Sequence, residues 1–451
     1  SLSFPQRSQL GAVKPGMKTP GQSSMPSGKA SRIAALAGAG AKVGVNYLKH
    51  YGRRAVGGGN DRTALDEANA GAVYDTFSRL KGGPLKLAQM LSIDRNMLPE
   101  AFRTQFAQAQ YSAPPLSYPL VVRTFQREFA KAPLDLFDTF SQSAKHGASI
   151  GQVHEATKGG QTFAVKVQYP GVADSLHSDL AVVKPVALQM LGLSDLDVEP
   201  YFQEVKKRLL EETDYSLELE RSIHLSRATQ GKVEGLRFPT YYPELSNRRV
   251  LTMDWIDGRP LDRFASEESD QEVKNRVAQA IWDFYQFQIH ELKQFHADPH
   301  PGNFLVDENN EVVVLDFGCT KELDPDFHRD YFRFLDLEVL NDPVQFEAGL
   351  RQLQVLSDAD SPRERALILE GAERGARLLG RPFHEGSFDF SDESYMAGIF
   401  EMGEEQRKNS ELKQMKTARG SADSIYLNRA YFGLYSLMGL LKAKIQTLGV
   451  S

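Results

Sequence analysis

HADPHPGNFLVDENNEVVVLDFGC, residues 296–319, decides the fold. Two short runs of strand-forming residues, NFLVD at 303–307 and VVVLDF at 312–317, bracket a turn containing Asn309 and Asn310. Three oxygen-bearing side chains stand around this hairpin, and they suit phosphoryl chemistry. Asp298 supplies a carboxylate near an attacking group, while Asn303 and Asp316 supply oxygens for one or two magnesium ions on the phosphates. Pro299, Pro301 and Gly302 stiffen and turn the chain between the first two, and Gly318 permits the turn after the third. His296 and His300 look like a zinc pair but lack a third ligand of the usual kind nearby, so both are expected to be structural. Cys319 is expected to be a small buried thiol.

Working towards the N-terminus, SIGQVHEAT at 149–157 and QTFAVKVQY at 161–169 flank Lys158-Gly159-Gly160 and predict a β-hairpin. Within it Lys166 is set among apolar residues, so its ammonium points to one face while the valines point to the other. A lysine so placed reaches the α- and β-phosphates of a nucleotide and needs an acid to hold it. Glu218 is the preferred partner and Glu212 the competitor. Residues 172–229 predict helix, 248–254 a connecting strand, about 270–294 a long helix, and the chain beyond 325 is predominantly helical. Before the hairpin, helical spacing covers 61–110 and 118–131, separated by Pro114-Pro115.

The 451 residues are 41% hydrophobic and 25% charged with a formal net charge of −6, as in a globular protein with no general attraction for nucleic acid. One cysteine excludes an internal disulfide framework. Residues 1–30, rich in Ser, Gly, Pro, Lys and Gln, predict a flexible tail. No stretch has the run of about 18–20 apolar residues that a membrane-spanning helix requires. Peripheral membrane contact is a separate expectation, raised by the small-residue helix at 31–49 and by YFGLYSLMGLL at 431–441, for which burial in the helical part is the plainer reading.

AVKV, HADPHPGN and DFG, in this order, resemble the protein-kinase signature set. More closely the chain resembles the UbiB/ADCK family of atypical kinases, on KLAQ at 86–89, HGASIGQVH at 146–154, ETD at 212–214, HADPHPGNF and DFG. The resemblance implies an α+β, protein-kinase-like bilobal fold with a small β-rich N-lobe, a largely helical C-lobe and an N-terminal helical extension. The expected divisions are the tail at 1–30, the extension carrying KLAQ at 31–135, the N-lobe with a helical insertion at 136–255, and the C-lobe at 256–451.

It further implies ATP as cofactor, with Mg2+ or Mn2+, and turnover in support of ubiquinone or other isoprenoid-lipid metabolism. Asp298, Lys166 and Glu218 become the catalytic set, and Ala148, Ser149, Lys166, Asp254 and Ile256 the nucleotide contacts. Asn303 and Asp316 become the metal ligands. Lys86 and Gln89, near Glu212 and Asp214, would fold an extension across the groove where a protein substrate would bind. Implied partners are the nucleotide, an isoprenoid lipid or quinone precursor, a lipid-biosynthesis complex and a membrane surface. The implied location is cytoplasmic or peripheral to a membrane, or the mitochondrial matrix in a eukaryote. Alternatives are a nucleotide-gated scaffold without catalysis and a small-molecule phosphotransferase of the aminoglycoside- or choline-kinase type. Ala88 departs from the glycine of the family's KxGQ motif, and His146-Gly147 stand where many eukaryotic members have alanines.

Overall fold

A computed structural model describes residues 116–148, 150–174, 176, 180–181, 203, 206–207, 209–297, 299–408 and 420–447. The tail, the helices expected at 31–49 and 61–110, Lys86, Gln89, Ser149 and Asp298 lie outside the described residues.

An amphipathic helix, α1 (Tyr118–Phe129), precedes a five-stranded sheet. The sheet contains β1 (Thr139–Phe140), β2 (His146–Gly147), β3 (Gly151–Lys158), β4 (Gln161–Gln168) and later β6 (Val250–Asp254). β3 and β4 pair from Gly151↔Gln168 to Lys158↔Gln161, which leaves Gly159 and Gly160 as a two-residue turn. Both adopt positive φ, +57° and +82°, the handedness that matches the twist of the strands and that glycine adopts without strain. β1 and β2 pair with the other edge of β3, and β6 pairs antiparallel with β4. β6 begins at Val250, two residues later than expected, because the Asn247 side chain accepts from the amides of Arg249 and Val250 and holds a turn there.

Alternation divides the sheet into two faces. Phe163, Val165, Val167 and Val250 meet Val121 and Phe125 of α1 on the back, so the described end of the expected extension is packed onto the N-lobe. Each such buried side chain contributes roughly 1.5–3 kcal/mol. Ala164, Leu251 and Met253 face the front with Tyr169 and Tyr215. Lys166 therefore emerges on the front between two valines that point to the back.

Helix α2 (Tyr215–Thr229) follows, capped by the Asp214 carboxylate, which accepts from the Ser216 amide at 3.0 Å. The short strand β5 (Leu236–Arg237) leaves the N-lobe and runs parallel to β10 (Val312–Val314) in a second sheet. Its order is β5-β10-β9-β7, with β7 at Arg259–Pro260 and β9 at Phe304–Val306. The expected long helix is α3 (Gln271–Phe287), continued by one π-helical turn, Gln288–Leu292, and stopped where Lys293 turns left-handed at φ 51°. β8 (Gln294–His296) and β11 (Thr320–Glu322) then pair across the loop that carries the site.

Beyond 325 the described residues are predominantly helical, with one strand pair, β12 (Ser387–Asp389) with β13 (Lys444–Gln446). The last helix, α4 (Ala422–Leu441), lies against α3, and Trp282, Phe284, Leu434, Tyr435 and Met438 share one core. The apolar run at 431–441 is mostly buried there, with Phe432 and Leu440 exposed. Among the described residues no helix is long and apolar enough to cross a membrane.

Candidate active site

The front face of β4 and the first turn of α2 meet at a buried ion pair. Lys166 Nζ lies 2.6 Å from Glu218 Oε1 and 2.9 Å from Oε2, with the two side chains 11% and 6% exposed. Of the two candidate acids, it is Glu218 that pairs with Lys166. Glu212 stands half-buried before the Asp214 cap, close enough for its charge to raise the Glu218 carboxyl.

Asp316 approaches from the other lobe, with Oδ2 3.3 Å from Lys166 Nζ and Oδ1 accepting from the Gly318 amide at 2.6 Å. Burial disfavours the Lys166 ammonium, but the Asp316 and Glu218 carboxylates outweigh it and hold its pKa well above the ordinary lysine value. Burial and the Asp316 charge push the Glu218 carboxyl up to about 7 against the pull of Lys166. Above about pH 7, where both carboxyls are ionised, two carboxylates facing one ammonium leave an excess of negative charge. Asp316 is 35% exposed, so it combines a hard oxygen donor with access from outside.

Asn303 stands in a single helical turn, Pro301–Asn303, and its carbonyl accepts from the Leu315 amide at 3.0 Å. The β9–β10 pairing thus places the two candidate metal ligands at adjoining strand ends. The Ala297 amide, one residue before Asp298, donates to the Cys319 carbonyl at 2.8 Å, so the start of HADPHPGN is joined to the end of DFG. His296 is buried, with its ring at Tyr285 and its amide donating to Gln288 Oε1, whereas His300 Nδ1 accepts from the Gly302 amide. Among the described residues no cluster of three His, Cys, Asp or Glu side chains forms a metal cage. Cys319 is half-buried against the C-lobe core.

Ala148 closes a small loop with Gly151 through reciprocal backbone hydrogen bonds of 2.9 and 3.4 Å. Ile256 is half-buried just after β6, beside Trp255, on which His146 of β2 stacks with centroids 6.0 Å apart. The Asp254 side chain shares the back face with Phe163 and accepts from Thr240, Tyr242 and Gln161, which leaves only its backbone for a nucleotide. Asp214 is occupied as the α2 cap and by Arg248 at 3.1 Å.

Spacing of motifs gave no hint of Arg221. One turn after Glu218 on α2, it donates to the Gly318 carbonyl at 3.1 Å and to Glu211 at 2.9 Å, clamping DFG to the helix. Its position three residues beyond Glu218, on the same helical face, is the signal that could have marked it.

The model of the ABC1 atypical kinase-like domain family matches residues 108–345. A probable serine/threonine-protein kinase, abkA, of Dictyostelium discoideum is 26% identical, with 94% of this chain and 78% of that protein covered. The mitochondrial atypical kinase COQ8B of Danio rerio is 27% identical, over 82% of this chain and 60% of its own length. The mitochondrial atypical kinase COQ8 of Saccharomyces cerevisiae is 27% identical, over 82% and 75%. A solved structure, the Rv3197–erythromycin complex from Mycobacterium tuberculosis, matches with a TM-score of 0.59 at 23% identity, over 85% of this chain and 95% of that one. At that identity the likeness is one of fold, and it is the bilobal α+β architecture described above.

Proposed function

The chain belongs to the ABC1 atypical kinase-like family, and from that premise we propose that its cleft binds ATP with Mg2+ and turns it over in support of ubiquinone or related isoprenoid-lipid metabolism. The observation that carries this reading is the meeting of Lys166, Glu218 and Asp316 across the two lobes. Lys166, held by Glu218, is poised for the α- and β-phosphates. The Ala148–Gly151 loop lies at the start of β3, the strand next to that lysine, and would lie over the phosphates.

Asp316 and Asn303 present oxygens of the kind magnesium takes, and the excess negative charge around Lys166 favours a divalent cation. Such an ion supplies neutralisation of charge on the phosphates. Asp298 is the proposed base, on the strength of its place in HADPHPGN. Lys86, Gln89, Glu212 and Asp214 are proposed as the elements that restrain access to the groove. The mitochondrial relatives favour the mitochondrial matrix or its membrane surface as the place of action.

Phosphate release from ATP by the purified chain tests the reading, with and without Mg2+ and with vesicles containing isoprenoid lipid. Asp298→Asn and Asp316→Asn are expected to abolish release by about 100-fold or more. Turnover surviving both changes would remove the proposal.

A further inference from the structure

Tyr215 opens α2 immediately after the Asp214 cap, and its side chain is fully buried between three parts of the site. Its ring lies under the Lys166 ammonium, with Nζ 4.9 Å from the centroid. Its hydroxyl reaches the nucleotide loop, where a Cβ on Gly151 would come within 2.6 Å of it and within 2.6 Å of the Val167 carbonyl. The same helix presents Glu218 one turn further on. The Tyr215 amide donates to the Arg248 carbonyl at 3.0 Å, so the residue is fixed to the N-lobe at its backbone.

The hydroxyl is also buried, with no hydrogen-bond partner among the described residues. Buried polar groups are rarely left so, because the lost hydration costs about 1–3 kcal/mol, and one that persists calls for a reason. A phenylalanine in its place would fill the same core without that cost. Burial raises the Tyr215 hydroxyl far above its ordinary pKa, so it stays neutral throughout the working range.

We infer that Tyr215 is a positioning residue for the nucleotide, its ring setting the height of the Lys166 ammonium and its hydroxyl the height of the Ala148–Gly151 loop. The inference rests on the proposed binding of ATP in this cleft. One side chain then fixes the distance between the two groups that would grip the phosphates, and Gly151 is the residue that admits it.

Steady-state phosphate release from ATP and Mg2+, with binding of ATP followed by titration, tests it on Tyr215→Phe and Tyr215→Leu, each checked for folding by its melting temperature. Tyr215→Phe keeps the ring under the lysine. It is expected to leave kcat within about twofold and to raise KM and Kd for ATP by about threefold or more, as the loop loses its support. Tyr215→Leu removes the ring as well and is expected to lower kcat by about tenfold in addition. A residue that only fills the core would change the melting temperature without separating KM from kcat. Wild-type KM and kcat in a folded Tyr215→Phe protein would overturn the inference, whether or not the leucine variant folds. An unmutated chain that binds no ATP would overturn the functional reading and this inference with it.

Discussion

Glu218→Gln keeps the shape of a side chain and removes its charge at the centre of the cleft. In the folded protein, burial and the neighbouring Asp316 raise this carboxyl from 4.5 to about 7. The native state therefore holds a proton that the unfolded chain has already released, and stability falls as pH rises between those two values. At about 1.4 kcal/mol per pH unit, the interval amounts to at most about 3 kcal/mol. Lys166 does not cancel this slope. Its folded-state pKa is raised, so its contribution is fully present below 10.5 and is lost only above that value. The glutamine variant keeps Asp316 3.3 Å from the ammonium and lacks the titration. Urea unfolding of both proteins from about pH 4.5 to about pH 8 measures the difference. The variant is expected to gain on the parent by up to about 3 kcal/mol across that range. A difference constant to within about 0.5 kcal/mol would refute the placement of a proton-holding carboxyl beside Asp316.

Gly433→Ala, on α4, would drive a Cβ into the ring of Pro299 and to 3.0 Å from its carbonyl, displacing the loop next to Asp298. A fall in kcat of about tenfold with ATP affinity nearly unchanged is expected. Gly439→Ala, whose Cβ meets Met396 at no closer than 3.6 Å, serves as the silent control. Arg221→Ala removes the donors to Gly318 and Glu211 and should cost about 1–3 kcal/mol in urea unfolding. Arg221→Lys should not restore it, because one ammonium cannot reproduce the planar fork.

The fold was legible where the chain's own chemistry is local. The Gly159-Gly160 turn, the alternation that exposes Lys166 on one face, and the Asn309–Asn310 hairpin are decided within a few residues, and the structure follows them. β5, β8, β11, β12 and β13 escaped notice because each is two or three residues long and owes its existence to a partner distant in sequence. The end of α3 is similar: Gln288 continues as a π-helical turn because its buried side chain bonds His296 and Phe284, contacts that no helical period reveals. At the site, residue types in order pointed to Lys166, Glu218 and Asp316, but the choice between Glu218 and Glu212 needed the packing of α2. Arg221 and Tyr215 were silent because arginine and tyrosine on a helix are ordinary until their neighbours are known.

The parallel pairing of β5 with β10 bears on how the cleft opens. The helix bearing Glu218 leads within a few residues into a strand laid beside the one that ends two residues before Asp316, and Arg221 joins helix to DFG a second time. α2 is tied at its start to the N-lobe, where the Tyr215 amide bonds Arg248, and one turn past Glu218 to DFG through Arg221, so it bridges the Lys166 side and the Asp316 side of the cleft. Separation of the lobes would therefore load α2 from both ends, at the Tyr215–Arg248 bond and at the Arg221–Gly318 bond. In such an arrangement the helix is the hinge pin, and the opening of the cleft is read at Arg221 and Tyr215.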